Sequence, residues 1–157
     1  MSAGGRKPGA RRPGGAFAEK VRARRRALQA IYQWTLTGQD AAAIVDQFHQ
    51  EQDMKRVDTD YFEQLVTETI DRAGDIDPQL QQHLDRPLEQ LDAMEVSVLR
   101  LAACELLYHI EVPYRAVLDQ AVELAKHFGS DQTPVFVNGV LDRCAAEWRK
   151  IEVQADR

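Results

Sequence analysis

The stretch EKVRARRRALQAIYQWTL, Glu19–Leu36, decides how this chain folds. At about 100° of rotation per residue, Ala27, Leu28, Ile31, Trp34 and Thr35 share one face of a helix. Arg22, Arg25, Arg26, Gln29 and Gln33 share the opposite face, and Tyr32 lies at the edge between them. The helix thus has a core-facing stripe and an outer face of guanidinium and amide groups. Arg24 departs from this division, because it extends the apolar stripe towards the N-terminus. It is expected to lean over the end of the core. Cations beside an aromatic ring suit single-stranded RNA, with guanidinium for phosphate and the ring for stacking. The same pattern also fits a solvated basic helix start with its aromatics in the core.

The rest of the chain reads as helices. No alternating strand pattern, internal repeat or roughly 18-residue apolar run occurs, so the expected fold is all-α. Residues 1–16 hold five glycines and two prolines and almost nothing to bury. They read as a disordered basic tail, either adding non-specific affinity for nucleic acid or simply solubilising. The first helix is expected over 17–37, ending at Gly38. Asp40 caps a short helix carrying Ile44, Val45 and Phe48. Asp58 caps the next, carrying Phe62, Leu65, Val66 and Thr69, with Gly74 at its end. Asp77-Pro78 starts a short helix to Leu84, and Arg86-Pro87 breaks it.

Asp92-x-x-Glu95 has the form of a capping box and opens a segment apolar on nearly every side. Residues 93–110 should therefore form a buried central strut. Glu105 within it is read as a paired carboxylate, with Arg100 its suggested partner, since buried charges are normally paired. Pro113 opens a further helix ending at Phe128, with Gly129 as the residue after it. Thr133-Pro134 opens the last, in which Asn138-Gly139 suggests a close backbone approach.

Charge is segregated. Residues 1–26 hold nine Lys/Arg against one acid, whereas the remainder holds eleven against twenty-four, within a net charge of −5. A concentrated basic end can hold nucleic acid that a uniformly acidic surface would repel. Catalytic and metal signatures are absent from the spacing. His49, His83, His109 and His127 are dispersed, Cys104 and Cys144 have no CxxC partner, and no phosphate loop or nucleophile elbow occurs. No catalytic residue, metal or cofactor is expected. Two apolar-set cysteines and no signal segment suggest the cytoplasm.

Three stretches carry a family resemblance: ARRRALQAIYQWTL at 23–36, MEVSVLRLAACEL at 94–106, and VPYRAVLDQAVELAKHFG at 112–129 followed by FVNGVLD at 136–142. In this order and spacing they resemble the NusB family of bacterial transcription antitermination factors, over about residues 20–145. The resemblance implies seven helices in two small bundles, here about 17–88 and 89–152 of one domain. It implies a factor that pairs with NusE, a small-subunit ribosomal protein, to bind boxA RNA. That complex joins RNA polymerase with other Nus factors and suppresses termination, notably on ribosomal RNA operons.

Carried over by position, the family's RNA surface falls on Arg22, Arg24, Gln29 and Tyr32, with Phe128, Gln132 and Phe136 from the later helices. Arg24 is then expected to lean towards the 128–136 turn in a joint cleft. Glu95 matches an acidic position that meets NusE. Val135 stands where relatives often have lysine, and Gln132 where they often have an acid. Alternatives are a helical interaction module without RNA contact, or the accessory module of an RNA methyltransferase, for which the chain leaves no room. Self-association into a homodimer, which would hide the arginine face, is left open.

Overall fold

The computed structural model describes residues 15–156, so most of the basic tail lies outside the described residues. Helix α5, Ala93–Tyr108, is the strut expected of the apolar segment. Val96, Val98, Leu99, Leu101, Ala103, Cys104 and Leu106 are all buried, and α1, α3, α4, α6 and α7 pack against it. Its start is a complete capping box. The Glu95 amide donates to Asp92 Oδ1 at 2.7 Å, and the Asp92 amide donates to Glu95 Oε1 at 3.1 Å. Its other end is closed by a residue the sequence had not singled out. The buried Arg149 guanidinium donates to the carbonyls of Leu106 at 2.7 Å, His109 at 3.0 Å and Glu105 at 3.2 Å. A cation there satisfies orphan carbonyls and meets the negative end of the helix dipole.

Around α5 lie α1 (Gly15–Thr37), α2 (Ala41–Glu51), α3 (Thr59–Asp71), α4 (Ala73–Gln81), a single 3-10 turn (Leu88–Gln90), α6 (Tyr114–Phe128), α7 (Thr133–Trp148) and α8 (Lys150–Ala155). Among the described residues there are no strands and eight α-helices. The eighth, α8, is one short turn beyond the seven expected. Helix α1 also begins earlier than expected and takes in Gly15 and Ala16, which the sequence reading gave to the tail. One continuous apolar cluster joins residues of α1 to those of α7.

Two boundaries differ from expectation. α3 ends at Asp71 and α4 starts at Ala73, placing Gly74 in the first turn and Pro78 inside the helix. Ala73, Ile76 and Leu80 are buried at helical spacing. Their packing outweighs the missing Pro78 donor, and α4 is only 9 residues long. Gly38 is left-handed, φ 68°, as a helix-ending glycine should be. Gly129 is not, with φ −96°. It is required for space instead: a Cβ there would lie 2.6 Å from Thr133 Cβ and 2.8 Å from the Ala125 carbonyl.

Candidate nucleic-acid interface

Arg24 does not reach the surface. Its helical position on the apolar side drives it into the core, where it forms a fork with Glu105. Arg24 Nε donates to Oε1 at 2.9 Å and Nη2 donates to Oε2 at 2.8 Å. The side chains are 6% and 2% exposed, and the buried Tyr61 hydroxyl also donates to Glu105. Burial opposes the Arg24 charge, but the hydrogen bonds and charge of Glu105 outweigh it and raise the guanidinium above its ordinary range. Burial, followed by the Glu105 charge, pushes the Tyr61 phenol far up, so it remains a donor. Arg24 is therefore withdrawn from the candidate RNA surface. The expected lean towards the 128–136 turn does not occur. Glu105 is the paired carboxylate expected, but with Arg24. Arg100 instead forks onto Asp77, at 2.9 and 2.8 Å.

The outer face of α1 is fastened to the loop between α2 and α3. The Asp58 amide donates to the Glu19 carbonyl at 3.2 Å, and Lys20 meets Asp58 at 2.8 Å. Arg22 Nη1 donates to the Arg56 carbonyl at 3.1 Å. Arg26 donates to Gln52 Oε1 at 3.1 Å and the Asp53 carbonyl at 3.3 Å. Arg56 takes up a left-handed backbone, φ 62°, unusual for a residue other than glycine. These contacts leave a groove of about 360 Å³ between α1, the loop and the end of α6.

The groove brings together some expected residues and adds others. Arg22, Gln29 and Phe128 line it, with Arg25, Arg26, Lys55, Arg56, His127 and one acid, Asp53. Five cations to one acid make this a concentrated positive site in an acidic protein. Arg25, Lys55 and Arg56 are exposed, and no side-chain hydrogen bond or ion pair engages their charged ends among the described residues. Lys55 and Arg56 were missed because their membership depends on the loop docking back onto α1. The MKRVD segment before α3 was the available signal. Phe128 is half-buried, its ring 4.6 Å from that of His127.

Tyr32 is half-buried one turn beyond Gln29 and is not among the residues lining the groove. Gln132 is the exposed N-terminal boundary residue of α7. Phe136 lines a separate cavity with His83, Leu84, Val135 and Arg143, and Arg86 sits over its ring at 5.0 Å. Val135 is 79% exposed. Glu95 serves the capping box and lies 3.7 Å from Arg86, in a side chain only 14% exposed.

Residues 21–146 match the NusB family. The chain belongs to the NusB family. The transcription antitermination protein NusB of Stenotrophomonas maltophilia is 50% identical over 133 residues, covering 85% of this chain and 84% of that protein. The NusB of Xanthomonas axonopodis pv. citri is equally similar, 50% over 133 residues, with 85% and 84% covered. Among solved structures, T. maritima NusB matches with a TM-score of 0.74 at 27% identity, over 85% of this chain and 96% of that one. A chain in a crystal structure of the antitermination factors NusB and NusE with double-stranded RNA matches with a TM-score of 0.72 at 27% identity, over 78% and 92%.

Proposed function

We propose that this chain is a non-enzymatic transcription antitermination factor that binds boxA RNA together with NusE, in the cytoplasm. The observation carrying the RNA half is the groove: five cations and the Phe128 ring, in a protein of net charge −5. Arg22, Arg25, Lys55 and Arg56 pair with phosphates, Gln29 hydrogen-bonds, and Phe128 offers a face to an unstacked base. Tyr32, Gln132 and Phe136 extend the contact beyond the groove. Glu95 meets NusE with the part of its carboxylate that the helix cap leaves free. The RNA complex then joins RNA polymerase and the other Nus factors. A homodimer through the arginine face would compete with RNA.

The test is an RNA shift assay with boxA and a scrambled sequence, with and without NusE. BoxA is expected to bind more tightly, and more tightly still with NusE. Replacing Arg25 with Ala should lower the salt slope of single-strand binding by about 0.7. No binding to either RNA, or an unchanged slope in Arg25→Ala and unchanged affinity in Tyr32→Ala, would favour a protein-interaction module without RNA contact.

A further inference from the structure

A second site lies away from the groove, where α3 meets the end of α5. His109 is 3% exposed, and both its ring nitrogens face carboxylates. Nε2 lies 2.5 Å from Glu68 Oε1, and Nδ1 lies 3.2 Å from Glu111 Oε2. Ionised carboxylates only accept, and a neutral imidazole has one N–H to give. Two oxygen donors thus flank one imidazole, an arrangement that also suits a cation at one of the two nitrogens.

A third donor makes the cation the informative alternative. Ligand atoms of Glu68, Cys104 and His109 all lie within 4.8 Å of one another. Zinc bonds imidazole nitrogen and carboxylate oxygen at about 2.0–2.2 Å and thiolate at about 2.3 Å. Its tetrahedral ligands thus stand roughly 3.3–3.8 Å apart. The 2.5 Å gap between Glu68 and His109 must open to admit a metal, and the Glu68 side chain, 28% exposed, has room to turn. The buried Thr69 hydroxyl, next in sequence to Glu68, lacks a hydrogen-bond partner among the described residues.

We propose that Glu68, Cys104 and His109 bind a zinc-like divalent cation, with the Glu111 carboxylate holding the imidazole so that Nε2 faces the metal. A dication with one carboxylate, one thiolate and a neutral imidazole sums to zero charge, which suits a site enclosed by α3 and α5. Ligating histidines usually donate their other N–H to a carboxylate in this manner. Binding exchanges the metal for the thiol proton of Cys104, which leaves to solvent. Burial raises the Cys104 thiol to about 12, so the metal itself must drive its ionisation.

The full chain, stripped of metal, is titrated with Zn²⁺ against a chromophoric chelator and with Co²⁺ by absorption. A single equivalent is expected, with a thiolate-to-cobalt charge-transfer band that disappears in Cys104→Ser. Glu111→Gln, a surface change that leaves the core packing alone, should weaken Zn²⁺ binding about 10-fold. Failure of the parent chain to compete for Zn²⁺ would overturn the proposal. So would binding that survives both substitutions unchanged, which would put the metal elsewhere, for example at His83 and Glu147. The RNA assay does not depend on either outcome.

Discussion

Replacing Arg24 with methionine tests the reading of α1 more severely than any change in the groove. Methionine keeps most of the stem's packing and removes the guanidinium. Glu105, 2% exposed, then retains only the Tyr61 hydroxyl among its side-chain partners. Breaking a buried ion pair from one side costs about 3–5 kcal/mol, because the remaining charge is left desolvated. Against a total stability of about 5–15 kcal/mol, that is a large fraction. With a urea slope of about 2 kcal/mol per molar, the unfolding midpoint should fall by about 1.5–2.5 M. Adding Glu105→Gln to Arg24→Met removes the stranded charge and should recover about 1 kcal/mol or more, a coupling of the size seen between contacting residues. RNA affinity, measured where the variant remains folded, should not change. An unchanged midpoint together with a large loss of boxA affinity would refute the burial and return Arg24 to the RNA surface.

Arg22→Ala should cost more in boxA affinity than Arg25→Ala, because it removes one proposed phosphate partner and also frees the Arg56 carbonyl it holds at 3.1 Å; equal losses measured by shift assay would separate the loop from Arg22. Gly129→Ala should destabilise by about 1–3 kcal/mol, since the new methyl meets the Ala125 carbonyl at 2.8 Å and cannot be relieved by a side-chain rotation alone. Thermal unfolding checks it, and a neutral result would mean that α6 and α7 part easily. Glu152 supplies the pH prediction. Burial would raise its carboxyl, but the Tyr114 amide and Arg149 outweigh this and hold it below its ordinary 4.5. Its contribution is thus present above that value and lost as pH falls through the lower folded value. The stability gap between the parent and Glu152→Gln should narrow from about pH 7 to pH 3 in urea titrations; a constant gap would contradict the assignment.

Much of the helical frame was legible because its signals are local. The capping box of Asp92 and Glu95, the cap at Asp58 and the left-handed Gly38 each depend on a few adjacent residues. The α3–α4 boundary was misread because Gly74 and Pro78 are ordinary stop and start signals, and the buried Ile76 and Leu80 override them through tertiary packing. Arg24 shows the reverse. Periodicity assigned it correctly to the apolar side, but its partner, Glu105, stands 81 residues away and cannot be found by spacing. Arg149 and the Glu68–Cys104–His109 cluster escaped for the same reason. Of the site, Arg22, Gln29 and Phe128 were legible, whereas Lys55 and Arg56 required the loop's position.

The four arginines of Arg22–Arg26 then divide according to what lies behind them. Arg24 is neutralised internally by Glu105 and adds little to the field outside. Arg22 and Arg26 spend some of their donors on the carbonyls of the α2–α3 loop, which costs the surface nothing in charge. Guanidinium groups have five N–H donors each, so these two can anchor the loop and still face a phosphate. The anchored loop in turn brings Lys55 and Arg56 to the same groove. Like charges gathered this closely repel, and a left-handed non-glycine residue costs of order 1–3 kcal/mol. The folded chain tolerates both because Arg22 and Arg26 tie the loop down. A polyanion would relieve the first of these costs on binding, which supports the RNA role proposed for the groove.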